Sequence, residues 1–432
     1  MQKQNQPQRG WKKTLNNILE KLTVISVAAV TLVVLLPQLL WGTDPTSIRG
    51  MSMAGAYTGL ARGANALFWN PANLGLSKKE AGLSLASVGL SFDNNSFSLS
   101  DYDRFTNGSL SDADKNELLA KVPGEGLIFE AQAQATALNF SLSRFAVSPQ
   151  VYGFSDLNLT HDAVELLLFD YKLGTAVDLK NSQGTAYLIG KLTAGWGQPL
   201  LSTPAGTFAV GLSVSYLQGY FYSRLESREA FFSTSSNGAT GRGEMTFTEA
   251  DRGNGFALDA GAAFEISPSL TLGLTVSNLF SDLTWSRGAK QTHFDFNVDT
   301  MTQSSGNPDS IVRSIKQETS LPEFRTHLPR TLKAGLARSG SLLSFDFDLE
   351  YRLHEDLSLS RMAAAGGGEL SLIRVMPLRA GLRWAEDEGT TLAAGAGLKL
   401  SVWYLDFAIQ DKNGFGADGQ GLALGAATGF RF

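Results

Sequence analysis

The side chains with most chemistry to offer lie on one stretch late in the chain. Between Leu343 and Leu353, Asp346, Asp348, Glu350 and Arg352 alternate with Phe345, Phe347, Leu349 and Tyr351. Alternate residues of a strand point to opposite faces, so the charged side chains share one face and the apolar ones the other. Lys333, Arg379, Arg383, Lys399 and Asp406 sit in the same phase of neighbouring stretches. Such a set can build ion pairs and grip polar groups. It lacks the parts that catalysis adds. The four histidines, His161, His293, His327 and His354, lie far apart with no H-E-x-x-H spacing. No cysteine is present for zinc, iron–sulfur or thiol chemistry. Asp112-x-Asp114-x-Asn116 opens like a calcium loop, but Glu117 stands where glycine is needed and Pro123 where the closing Glu is needed. Ser and Asp are abundant enough that chance pairs say nothing of a hydrolase. The expectation is no enzyme, no metal and no cofactor.

These charges need elements to hold them. The chain has 432 residues, of which 18% are charged, against roughly 25% in soluble domains. Its formal charge of −5 gives no support to a nucleic-acid partner. The first 42 residues read as a secretory signal peptide. Lys3, Arg9, Lys12, Lys13 and Lys21 outnumber Glu20, an uncharged apolar run follows from Leu22 to Leu40, and Gly42 offers a small residue for cleavage. An uncleaved anchor is the alternative. No other segment is apolar for long enough to cross a membrane as a helix.

After Ala81 the pattern is alternation throughout. Leu378, Ala380, Leu382 and Trp384 oppose Arg379, Gly381 and Arg383; Trp403, Leu405, Phe407 and Ile409 oppose Tyr404, Asp406, Ala408 and Gln410. In a soluble sandwich the greasy face is the core. In a transmembrane barrel it meets lipid, and the charged face lines the lumen. Strand segments fall at 81–100, 127–142, 145–158, 184–198, 207–222, 253–266, 270–298, 327–338, 342–353, 361–373, 377–386, 390–400, 402–411 and 420–432. With the first strand running outward, the four longest connections, 101–126, 159–183, 223–252 and 299–326, all fall on the outer side, as bacterial barrels require. Asp93-Asn94-Asn95 could instead be a hairpin turn, which would shift the count towards sixteen. Ser111 is placed to cap a helix over Lys115 to Val122, and a second helix is expected from Thr160 to Phe169. The latter ends in an apolar run that either packs on the rim or offers a greasy landing site. The expected fold is an all-β, transmembrane, antiparallel β-barrel of about fourteen strands over residues 81–432, in a bacterial outer membrane and in contact with its lipid.

The chain ends on Phe432, with Phe430 two before it. This resembles the C-terminal signature of bacterial outer-membrane barrels and implies recognition by the barrel-assembly machinery.

Residues 43–80 are too irregular and too rich in small residues for a strand. They include Gly50, Gly55 and the run Phe68-Trp69-Asn70-Pro71-Ala72. Pro71 biases Asn70 away from the helical region and can itself begin a short helical turn. The stretch G-M-S-M-A-G-A-Y-T-G-L-A, followed by A-L-F-W-N-P-A-N-L, resembles the N-terminal hatch of FadL-type outer-membrane proteins, the long-chain fatty-acid transporter superfamily, and is similar to PorV-type relatives of a secretion system. The resemblance implies a hatch inside the lumen and a sideways exit at the third strand, here 145–158. That strand contains Pro149, which cannot donate to a ladder, and Gly153, which marks bends; a bulge without function is the alternative. Two functions follow from the resemblance. One is transport of a hydrophobic, fatty-acid-like small molecule past the hatch and out through the wall. The other is a non-transporting barrel that binds an exported protein or a secretion component.

Overall fold

The computed structural model describes residues 47–432 apart from 77–79, 107–109, 170–175, 236–237, 302–311, 354–361 and 387. The signal peptide expected over residues 1–42 lies outside the described residues. The N-terminal segment carries two short helices, α1 (Ile48–Met51) and α2 (Ala66–Trp69). The strands are, in chain order, β1 (Gly82–Asn94), β2 (Leu127–Leu142), β3 (Phe145–Leu159), β4 (Ala176–Asp178), β5 (Gln183–Thr203), β6 (Gly206–Ser235), β7 (Gly238–Ala250), β8 (Arg252–Ser267), β9 (Leu270–Arg287) and β10 (Lys290–Met301). They continue with β11 (Val312–Ser320), β12 (Phe324–Thr326), β13 (Thr331–Arg338), β14 (Leu343–Arg352), β15 (Met362–Ile373), β16 (Met376–Ala385), β17 (Gly389–Leu400), β18 (Trp403–Lys412) and β19 (Gly421–Arg431).

β4, β7, β10, β11 and β12 extend or edge the wall, and the other fourteen strands form it. Each wall strand pairs antiparallel with its neighbours in the chain, and β1 pairs with both β2 and β19, so the sheet closes on itself. The exposure pattern is that of a protein turned inside out. Phe345, Phe347 and Leu349 of β14 are 43%, 49% and 52% exposed, while Asp346 and Asp348 are 2% and 3% exposed. The same holds around the ring: Leu212, Val214, Leu272, Leu274, Leu378, Leu382, Trp384, Phe407 and Ile409 are all exposed. A continuous apolar outer surface of this extent is stable in lipid and not in water. The chain is an outer-membrane β-barrel.

Two expected outer loops prove to be strand. β6 runs on to Ser235 and β7 returns from Gly238, so most of 223–252 is a hairpin; β10 and β11 likewise occupy much of 299–326. β6, β7, β10 and β11 pair in that order beyond the rim. Their cohesion comes from Leu225, Met245, Phe247 and Phe294, which bury one another, although polar neighbours mask the pattern in the sequence. The expected strand 270–298 divides into β9 and β10 at Gly288, whose φ of +66° and whose closeness to the Asp251 carboxylate leave no room for a side chain. β1 stops at Asn94, so Asp93-Asn94-Asn95 ends the first strand without adding another.

Three helices cover the outer end: α3 (Leu99–Thr106), α4 (Asp112–Lys121) and α5 (His161–Phe169). Ser111 caps α4 reciprocally, its Oγ accepting from Asp114 N–H at 3.2 Å and its own N–H donating to the Asp114 carboxylate at 3.0 Å. Val122, Leu159, Ala163 and Val164 join α4 and α5 in one apolar cluster, onto which Leu168 packs. Leu167 is left 55% exposed.

Closure depends on the last strand. Phe430 pairs with Leu83 of β1 and Trp403 of β18, and Phe432 N–H donates to Ala81 O at 2.8 Å. Deleting Phe432 is predicted to lower the amount of heat-modifiable barrel in the outer-membrane fraction, read by gel mobility of unheated samples; wild-type amounts would remove the assembly role.

Candidate functional site: the plugged lumen

Residues 47–76 lie inside the barrel, in the half nearer the short turns. Their local turns are capped from within. Ser47 Oγ accepts from Gly50 N–H at 3.4 Å, and Asn70 Oδ1 accepts from Ala72 N–H at 3.0 Å at the head of the Pro71–Gly75 turn. Gly50 lies against Trp69, which would clash with any side chain there, and Gly55 has φ +89°. Trp69 meets Tyr57 edge-on at 5.8 Å. Phe68 is partly buried between two small clusters, and Ala72 is fully buried.

This irregular backbone carries N–H groups that no ladder serves, and an unpaired buried donor is costly. The wall supplies acceptors. Asp348 takes the N–H groups of Tyr57 and Thr58, both at 2.9 Å. Asp346 takes those of Gly59 and Leu60 at 2.8 and 3.0 Å. Gln410 donates to Met51 O at 2.8 Å and Asn70 to Ala262 O at 3.0 Å. The wall also yields space. A Cβ at Gly211 would lie 2.2 Å from Pro71, at Gly261 2.1 Å from Asn70, at Gly381 2.2 Å from Met53 and at Gly395 2.3 Å from Ser52. Several of these glycines face each other across the ladder, Gly211 with Gly261 and Gly367 with Gly381. A belt of bare backbone therefore rings the plug.

Ion pairs complete the fit. The Arg379 side chain is fully buried and joins Glu369 and Asp406, each at 2.7 Å. Arg49 of the plug reaches Glu369 at 2.9 Å, and Lys399 lies 3.7 Å from the same carboxylate. Arg431 bridges Asp406 at 3.4 Å and Glu80 at 2.9 Å. Glu350 gathers Lys333, Arg352 and Arg383 at 3.1, 2.9 and 3.3 Å. The structure thus brings all nine lumen charges named from the sequence to the inner face. Asp346 and Asp348 stand apart from the other seven, because their partners are plug N–H groups. Arg49, Glu369 and Arg431 were not singled out from the sequence. Glu369 follows the run Gly366-Gly367-Gly368, where alternation has no apolar member to set its phase.

The other side of the lumen carries an aromatic cluster. Phe154 stacks on Tyr187 at 5.3 Å, while Tyr222 lies 5.4 Å from Trp285 and 5.3 Å from Phe324. Ile189, Leu217 and Leu283 fill the gaps. Trp285 Nε1–H donates to Thr326 Oγ1 at 2.9 Å, and Gly219 and Gly253 leave room for its ring. The sequence signal for this cluster was Leu283 and Trp285 alternating with Asp282 and Thr284.

Pro149 faces outward on β3. β2 bulges beside it: Thr136 pairs with Gln150, pairing resumes at Phe140 with Val147, and Leu138 between them has φ 56°. Asn139 closes the inner side, accepting from Ser148 Oγ at 2.5 Å and donating to Thr136 Oγ1 at 2.7 Å. The β3–β5 ladder is unbroken past Pro149. Gly153 pairs with Ala133 and Leu188 without a break in either register. Near the bulge a cavity of about 30 Å³, lined by residues including Arg62, Glu80, Asn139, Ser141, Tyr404 and Arg431, has the volume of a single water. On the outer cap, ligand atoms of His161, Asp162 and Glu165 come within 4.8 Å of one another, but Asp162 already accepts Asp178 N–H at 2.8 Å.

Residues 67–301, more than half of the chain, match the family described as "F plasmid transfer operon, TraF, protein". Among solved structures the chain is similar to the Pseudomonas putida toluene transporter TodX, at 11% identity over 91% of this chain and 99% of that one, with a TM-score of 0.48. It is also similar to the monoaromatic hydrocarbon channel CymD, at 12% identity over 90% and 96% with a TM-score of 0.44. A Pseudomonas aeruginosa FadL homologue is 13% identical over 90% and 97%, with a TM-score of 0.46. No curated protein matches the chain.

Two substitutions test the grip on the plug. Asp348→Ala strips acceptors from two buried N–H groups, at about 1–3 kcal/mol each, and is predicted to raise single-channel conductance in planar bilayers. Asp348→Asn keeps an acceptor oxygen and is predicted to stay close to wild type. Gly381→Val forces its side chain into the Met53 backbone, and is predicted to expose the plug to protease in folded, heat-modifiable barrel.

Proposed function

The chain belongs to the TraF family of the F plasmid transfer operon, and we propose that it is an outer-membrane passage for hydrophobic small molecules, gated by residues 47–76. The observation that carries this reading is the aromatic cluster of Phe154, Tyr187, Tyr222, Trp285 and Phe324 on the inner face of the barrel. It is closed over in this state, with Trp285 0% and Phe154 3% exposed, so that a ligand takes the place of contacts within the cluster. A water-filled pore for polar solutes has no use for it. An apolar molecule burying about 200 Å² there gains roughly 5 kcal/mol at 25 cal/mol per Å², the equivalent of a dissociation constant of about 0.2 mM. The gate then has to give up the Asp346 and Asp348 hydrogen bonds and the Arg49–Glu369 pair. The bulge beside Pro149, where β2 and β3 lose ladder pairs, supports a sideways exit on the plug's level.

A second reading is a sealed barrel that binds exported proteins or secretion components. It is supported by the family's transfer-operon description, by the ion-paired plug, and by the sheet that β6, β7, β10 and β11 raise beyond the rim.

Uptake separates the two. Cells carrying the protein are predicted to accumulate a radiolabelled monoaromatic or alkyl probe faster than cells without it. Trp285→Ala is predicted to cut that rate about tenfold, the equivalent of roughly 1.4 kcal/mol, and Pro149→Ala to reduce it with assembly intact. Equal uptake with and without the protein would leave the sealed, protein-binding barrel as the reading that stands. Normal uptake by Pro149→Ala would remove the exit alone.

A further inference from the structure

The wall has a second fault, five seams from Pro149. β9 pairs with β13 from Leu270 and Arg338 up to Ser277 and Thr331, and with β12 from Leu283 and Thr326 to Trp285 and Phe324. Residues 278–282 and 327–330 between these ladders make no ladder pairs with each other. β9 is bulged on its other edge too, where Val276 pairs with Ala260 and Phe280 with Leu258, so that three residues face one. Asn278, at the centre of the bulge, has φ 51°.

Side chains close the gap. Asn278 Nδ2 donates to Pro329 O at 2.8 Å, Ser281 Oγ accepts from Leu328 N–H at 2.9 Å, and His327 Nδ1 meets Ser281 O at 2.5 Å. Asp259 accepts Asn278 N–H at 2.6 Å. Backbone in the wall of a membrane barrel is otherwise satisfied by its ladder, and a seam held by a few side chains parts more easily than one held by paired strands. Its flanks are apolar. Outside, Leu279 and Phe280 are 41% and 57% exposed. Inside lie Leu283, Trp285 and Tyr222, with Phe324 and Leu328 packed on them. The open end of the barrel, by contrast, is roofed by the α4–α5 cluster.

We propose that this seam is a lateral portal through which uncharged ring or alkyl ligands dissolved in the outer leaflet reach the aromatic cluster directly from the lipid, with Asn278 and Ser281 as its latch. The inference rests on the hydrophobic-passage reading for its biological use but not for its test. The two carboxylates at the seam are already engaged, Asp259 by Ser213 Oγ and Asn278 N–H and Asp282 by Arg325 at 3.6 Å, so the route suits molecules without ionised groups.

The native chain has no cysteine, which makes the test clean. Leu283→Cys in the full chain, reconstituted in lipid nanodiscs, is exposed either to a bilayer-dissolved alkyl maleimide or to a charged, water-soluble one. Labelling is expected from the bilayer reagent, about fivefold faster when Asn278→Ala and Ser281→Ala are added, with no such gain for the charged reagent. A bilayer rate indifferent to the latch, or faster labelling from water, overturns the portal. Where the latch variant does not give folded barrel, Asn278→Cys with Pro329→Cys decides: oxidised to a disulfide beside Leu283→Cys, it must stop bilayer labelling, and unchanged labelling sinks the proposal. Latch-dependent labelling in a protein that takes up no probe leaves the portal standing and removes the transport reading.

Discussion

An irregular segment of backbone sits inside a closed sheet, and everything else in the lumen answers to that. A strand ladder satisfies its own N–H and C=O groups; residues 47–76 cannot. Four successive donors, from Tyr57 to Leu60, are met by two carboxylates that reach in from one strand. Those carboxylates are two positions apart because that is the spacing at which a strand repeats a face. Close contact also requires that the wall lack side chains where the plug touches it, which is why inner-face glycines recur from β6 round to β19. The charge pattern and the glycine pattern of the barrel are two sides of one requirement.

The ion pairs follow from the same constraint. A guanidinium as buried as Arg379 is tolerable only with both carboxylates in place, since removing one partner of a buried pair costs on the order of 3–5 kcal/mol. Arg49 enters this network from the plug and shares Glu369 with Arg379. The plug is therefore part of the electrostatic balance of the wall. If it moves, Glu369 keeps Arg379 and Lys399, so the wall remains neutralised on that side. The Asp346–Asp348 side has no such reserve, because neither residue has a Lys or Arg nitrogen within 4.0 Å among the described residues. The hold on residues 57–60 therefore depends on these two carboxylates.

Much of this layout was legible in the sequence, for a physical reason. Lipid on one side and a polar lumen on the other impose opposite chemistries on alternate residues, so β14 announces itself in Leu343 to Arg352 and β2 matches residues 127–142 to the residue. The pattern fades where the environment is less polarised. β7 and β11 stand beyond the rim, where both faces meet water or other strands of the rim sheet, and their alternation was lost among polar residues. The glycine belt was visible only as small residues, since a glycine does not say what approaches it. Glu369 and Arg49 lie 320 positions apart, and no local signal joins them. The break at Asn278 left no mark, because a bulge is a failure of pairing between strands and not a property of either.

The two halves of the lumen differ in more than polarity. Around β14 to β19 the ladders are almost continuous and the inner charges are paired, so that arc is a rigid bearing for the plug. Around β2 to β12 the bulges accumulate at Leu138, at Tyr220 and at Asn278, and the inner face sets the aromatic cluster among polar side chains such as Gln134, Thr193, Ser213 and Ser215. Apolar contacts are indifferent to small displacements, whereas buried ion pairs are not, so strand movement costs least on the aromatic side. The contacts that hold residues 47–76 through charge therefore lie on one arc, and the aromatic cluster on the other.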